Sequence, residues 1–178
     1  MAKYQQSVIG IEITEDAVHL VQFVQEDDAY SLSKVQTISI PPRSIMNGQI
    51  TDVEMISEQI SKVIEDEGFS SDQVVVSLND KSFLKRLDIF SVLTVNDLIM
   101  DLEMNVSSEF YFQQREFNMG YQIYKETFED REPAWQSVLY AALPADTVST
   151  LEDLVESLGC TLVSIDLVSL SVLRAIMW

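Results

Sequence analysis

The chain has 178 residues, 47% of them hydrophobic, and its 11 Lys+Arg against 29 Asp+Glu give a formal charge of −18. A chain of this size and composition buries a core without needing disulfides or metals. Its negative field repels phosphate backbones and anionic headgroups, which argues against nucleic-acid binding and polybasic membrane docking.

Residues 7–13 and 17–24 read as two β-branched strands joined by the polar turn Thr14-Glu15-Asp16. A third run, residues 30–40, follows an acidic break, and the three suggest an antiparallel meander. Pro41-Pro42 ends it, and a loop is expected up to Gly48. Thr51 and Glu54 have the spacing of a capping box. Val53, Ile56, Ile60, Val63 and Ile64 then recur on one helical face, and Gly68 is expected to cap that helix in the left-handed region. Residues 73–78 read as a buried strand and residues 82–90 as the next one.

Thr94 resembles a second N-cap, before Leu98, Ile99, Leu102 and Val106 at helical spacing. The aromatic stretch Phe110-Tyr111-Phe112 leaves that helix. Two strands are expected over residues 117–128 and 135–143, then a helix opened by Pro144 and capped by Gly159. A strand over 161–166 and a helix over 167–177 close the order. The seams between subdomains are expected near residue 80 and near Pro144.

Chemical motifs are few. The one cysteine, Cys160, and the one histidine, His19, exclude an intrachain disulfide and a zinc site of Cys and His. The five glycines are too scattered for a P-loop or a dinucleotide-binding turn. No G-x-S-x-G elbow occurs. Glu12, Glu15 and Asp16 lie close together, but their spacing matches no calcium or magnesium loop. No secretory pattern opens the sequence, and no run reaches the roughly 18 uninterrupted apolar residues of a spanning helix, the closest, residues 162–178, being interrupted by Asp166 and Arg174. Phe110, Tyr111 and Phe112 are either core plugs or the anchors of a protein interface, where aromatics are favoured.

The order β-β-β-α-β, an inserted β-α-β-β unit, then α-β-α carries a family resemblance over almost the whole chain. VIGIEITEDAVHLVQF, ISIPPRSIMNGQITDVEMISEQI, SFLKRLDIF, GYQIY and ALPADTVSTLEDLVESLGCTLVSIDLVSLSVLRA resemble, in order, the first lobe of PilM-type pilus-assembly proteins, relatives of FtsA and actin. The resemblance implies an α/β fold: an actin-like (ribonuclease H-like) lobe with a mixed five-stranded sheet and an inserted small α+β subdomain. Residues 1–79 and 144–178 would form the main lobe and residues 80–143 the insert.

The resemblance also implies a role. It is that of a cytoplasmic scaffold, peripheral to the inner membrane, in a type IV pilus or related secretion machine. A groove partly lined by Phe83, Arg86, Phe110, Tyr111 and Phe112 would hold the cytoplasmic tail of a PilN-like membrane partner. An acidic domain suits a tail bearing Lys or Arg. The family's phosphate-loop Asp, Gly and Lys fall on Glu12, Thr14 and His19, so the nucleotide loop is expected to be degenerate, with no cofactor, no metal and no catalysis. The alternatives are the first half of an actin-like ATPase and a self-assembling FtsA-like module.

Overall fold

The computed structural model describes residues 7–26, 29–46, 49–79, 83–91, 94–109, 111–124 and 135–177. Two compact units divide the chain: Met1–Ser82 with Ser149–Trp178, and Phe83–Val148.

The first unit is built on a five-stranded sheet of order β10-β6-β1-β2-β3. Strands β1 (Ser7–Ile13), β2 (Ala17–Glu26) and β3 (Ala29–Ser39) form the expected antiparallel meander, while β6 (Gln73–Leu78) and β10 (Thr161–Leu167) add in parallel. Register explains why these residues are apolar. Ile11 stands beside Leu20 on β2 and Val76 on β6, and Val76 beside Ile165 on β10. Ile9, Ile11, Leu20, Val74 and Val76 are essentially fully buried on that face. Gly10 is required where β1 meets β2, because a Cβ there would come within 2.9 Å of Val21 Cγ2.

Helix α1 (Val53–Asp66) turns Ile56 and Ile60 inward, both fully buried. Burying each contributes about 1.5–3 kcal/mol relative to exposure. Its N-cap corrects the sequence reading: Asp52, not Thr51, accepts the Met55 N–H, at 3.0 Å. Thr51 instead closes the preceding loop, its hydroxyl 2.8 Å from Arg43 O and 2.9 Å from Ser44 O. Asp serves as well as Thr at an N-cap, so sequence preference alone did not choose between neighbours. At the other end Gly68 adopts φ +65°, and the Lys34 ammonium bonds Glu67 O, closing the helix terminus. Two short antiparallel strands pair here, β4 (Ile45–Met46) within the expected loop and β5 (Gln49–Ile50) just past its expected end. Strands of two residues leave no alternation to read.

The second unit is a three-stranded antiparallel sheet of order β7-β9-β8 with one helix. It comprises β7 (Leu84–Ser91), α2 (Val95–Ser108), β8 (Phe117–Tyr124) and β9 (Trp135–Pro144). Thr94 caps α2 as expected, accepting the Asp97 N–H. Leu98, Leu102 and Val106 on α2 form one buried cluster with Val138, Tyr140 and Ala142 on β9. Pro144 ends β9 rather than opening the next helix, and α3 (Ala145–Ser157) starts one residue later. The part of the expected strand beyond Tyr124 lies outside the described residues. Gly159 ends α3 at φ +71°, and α4 (Val168–Met177) follows β10.

Candidate functional site

Two surfaces hold the residues singled out from the sequence. The first is a polar row across the five-stranded sheet. Register places Asp166 beside Ser77, Ser77 beside Glu12, Glu12 beside His19, and His19 beside Thr37. Partners across adjacent strands share a face, so one rung of five strands carries five polar side chains. It lies toward the carboxyl ends of the parallel strands β1, β6 and β10, where open α/β sheets bind ligands. Ser77 and Asp166 were not anticipated, because only parallel pairing brings them to Glu12.

Most groups in this row already have partners. His19 Nδ1 lies 3.0 Å from Thr37 Oγ1. Asp166 accepts Ser171 Oγ at 2.7 Å and the Leu167 N–H at 2.9 Å, and it pairs with Arg174 on α4. The β1–β2 turn beside the row is closed on itself. The Thr14 N–H donates to Ala17 O at 2.9 Å, and the Ala17 N–H donates to Thr14 Oγ1 at 3.1 Å. The Thr14 hydroxyl is 2.8 Å from Ala17 O and 3.0 Å from Asp16 Oδ1. A phosphate needs free N–H groups pointing outward. Here the Thr14 and Ala17 N–H groups point into the turn, and the Asp16 carboxylate accepts the Thr14 hydroxyl. Among the described residues no group of three His, Cys, Asp or Glu side chains could hold a metal ion.

The second surface lies at the C-terminal end of α2 in the second unit. Arg86 on β7 is exposed, and its Nη2 is 2.7 Å from Oε1 of Glu109, the C-cap residue of α2. The Glu109 hydrogen bond and charge hold the Arg86 guanidinium above its ordinary pKa. Two residues on, Tyr111 is 49% exposed, with the Arg115 guanidinium 4.8 Å from its ring centroid. Gln114 beside them has φ +62°, a left-handed conformation uncommon for a residue with a side chain. Phe83 is half-buried just before β7. Phe112 does not line this surface: it is 3% exposed, and its ring packs edge-on to Phe117 at 5.9 Å. A ring this large gains more from the core than from water. Phe110 lies outside the described residues. Glu109 and Arg115 were missed by sequence reading, since charged residues in an acidic chain carry little signal singly.

Behind this surface, the Tyr140 hydroxyl donates to Asp88 Oδ2 at 2.7 Å. Burial, and then that hydrogen bond, push the Tyr140 pKa up to about 12. Among the described residues no helix is long and apolar enough to cross a membrane.

A mixed sheet of order β10-β6-β1-β2-β3, with an α+β unit inserted in the chain between β6 and α3, is an actin-like (ribonuclease H-like) lobe. A family model described as type IV pilus assembly protein PilM matches residues 10–178. The chain belongs to that family. A solved PilM–PilN type IV pilus biogenesis complex is similar at a TM-score of 0.77 and 17% identity, over 90% of this chain and 47% of that one. The chain therefore spans about half the length of the solved protein it matches. Two further structures are similar at lower scores. The cytoplasmic domain of EpsL, an inner-membrane component of the Vibrio cholerae type II secretion system, gives 0.49 at 9% identity, over 90% of this chain and 57% of that one. A Bacteroides thetaiotaomicron protein with an actin-like ATPase fold gives 0.43 at 12% identity, over 90% and 52%. No curated protein matches the chain.

Proposed function

We propose that this lobe is a non-catalytic scaffold on the cytoplasmic side of a type IV pilus assembly machine, where it holds the cytoplasmic tail of a PilN-like inner-membrane protein. The observation that carries the reading is the exposed Arg86–Glu109 ion pair together with the Arg115–Tyr111 contact around the C-terminal end of α2, in a chain of the PilM family. Tyr and Arg are the residues that most often anchor interfaces, because they bury large area at modest entropic cost. The chain's charge of −18 steers a basic tail toward it, and Phe83, Arg86 and Tyr111 then provide the local contacts.

The polar row and its turn support a lobe without ATP hydrolysis. Glu12 stands where the family's phosphate-loop acid falls, but Thr14 uses its own N–H inside the turn and His19 is bonded to Thr37. A glycine at residue 14 could keep the backbone bond to Ala17 O but would lose the hydroxyl's contacts with the Ala17 N–H and the Asp16 carboxylate.

The test is affinity capture from detergent-solubilised host membranes, read by mass spectrometry, with Arg86→Ala and Tyr111→Ala as controls. Recovery of single-pass inner-membrane proteins with short cytoplasmic tails, lost in both variants, supports the proposal. Recovery of the bait alone overturns tail binding. Titration with magnesium–ATP is expected to give no binding heat, and micromolar binding overturns the non-catalytic reading.

A further inference from the structure

Strand β3 is the longest strand of the first unit and forms one edge of its sheet. Edge strands present unpaired backbone groups, and proteins usually protect them with outward charges, prolines or bulges. This one has one charged residue and one bulge-type irregularity as its protection. Its single charged residue, Lys34, is directed inward to Glu67 O and the Phe69 ring. No proline lies within it. One irregularity, at Ser33, separates the Gln22–Lys34 and Phe23–Leu32 pairs.

The face of the edge opposite α1 is apolar. Val35 stands beside Val21, Leu32 beside Phe23, and Tyr30 beside Gln25. Val35 and Leu32 are each 55% exposed and Tyr30 is 60% exposed. Charge separates this edge from the rest of the molecule. In a chain with 29 acidic residues, residues 29–51 contain none, and they include Lys34 and Arg43. The other edge strand without an acidic residue, β8, is shorter and less exposed, and acidic residues flank both strands, Glu26, Asp27 and Asp28 before β3 and Glu126, Glu129, Asp130 and Glu132 after β8.

We propose that two copies of this chain pair through β3, edge to edge about a two-fold axis. Two molecules each bearing −18 repel at most approaches, and a self-complementary contact places each patch against its own kind. The acid-free edge is where that repulsion is least and where backbone groups and apolar side chains await partners. The contact extends the five-stranded sheet into a continuous one, with Leu32 and Val35 of the two copies adjoining. It uses residues of the first unit, whereas the tail-binding residues belong to the second.

The salt dependence distinguishes the two. Salt screens repulsion between like-charged copies, so pairing strengthens as salt rises, whereas capture of a basic tail weakens. Sedimentation velocity is expected to show mass moving from 20.2 kDa toward twice that value on concentration to about 100 µM, and further with added salt. Leu32→Asp with Val35→Asp keeps the chain monomeric with an unchanged circular dichroism spectrum, while Ile123→Asp on β8 leaves pairing intact. In a Cys160→Ser background, Leu32→Cys, Val35→Cys or Thr37→Cys forms a disulfide-linked dimer when diamide is added as the two-electron oxidant. A wild-type chain monomeric at every salt concentration overturns the proposal. So does a dimer that survives the double Asp change, a dimer lost with Ile123→Asp, or a cysteine series in which no position cross-links.

Discussion

The Arg86 Nη2 atom on β7 lies 2.7 Å from the Glu109 Oε1 atom that follows α2, and Tyr111 stands two residues beyond in the chain. Both partners are well exposed, so the pair matters little for stability. Its value is positional: it ties an exposed guanidinium to the C-cap residue of α2, two residues before the exposed Tyr111. Arg86→Ala is therefore expected to leave the thermal midpoint nearly unchanged while lowering affinity for a tail peptide about tenfold, the scale of one lost charge-assisted contact. The exchanged pair Arg86→Glu with Glu109→Arg should recover part of that loss. Fluorescence anisotropy with a labelled peptide reads both.

Phe112 and Tyr111 are neighbours with opposite duties. Phe112→Ala is expected to cost about 3–5 kcal/mol in urea unfolding, as large core rings do. Tyr111→Ala should cost less than about 1 kcal/mol and act on peptide binding instead. Equal destabilisation by the two changes would show that Tyr111 is also a core residue.

Gln22 is 2% exposed, and its amide serves Ser70 twice. Oε1 accepts the Ser70 N–H at 3.0 Å, and Nε2 donates to Ser70 Oγ at 3.1 Å. Gln22→Leu keeps the volume but orphans that N–H, at an expected cost of about 1–3 kcal/mol. Restoring stability with Gln22→Leu plus Ser70→Ala is not expected, because the backbone donor remains. Paired urea melts check it.

Tyr140 makes stability depend on pH at the alkaline end. Its folded pKa, raised to about 12, exceeds the unfolded value of about 10. The folded state thus keeps a proton that the unfolded state releases. The contribution is fully present below pH about 10 and disappears as pH rises toward about 12. Tyr140→Phe is expected to be less stable at neutral pH, having lost the Asp88 bond, and to show a shallower decline across that window. Thermal melts of both proteins in parallel separate Tyr140 from the other titrating groups.

Much of the architecture was legible because the hydrophobic period was clean. The alternation in β1 and β2, the Val53-Ile56-Ile60 face of α1 and the Leu98-Leu102-Val106 face of α2 each record burial on one side, and the helix-ending glycines record positive φ. The misreadings came where two neighbours were equally competent. Asp52 took the cap in place of Thr51, and Pro144 finished a strand in place of starting a helix.

The sequence by itself determined the class of this protein, because burial periodicity, charge and caps are local properties of the chain. Only the tertiary structure decided which residues meet. Parallel pairing, closed through long crossovers, set Asp166, Ser77 and Glu12 in one row with His19 and Thr37. Packing decided that Phe112 belongs to the core while Tyr111 faces water, although the two are adjacent and both aromatic. Side-chain direction at the end of a helix depends on what the following turn packs against, and no single residue encodes that.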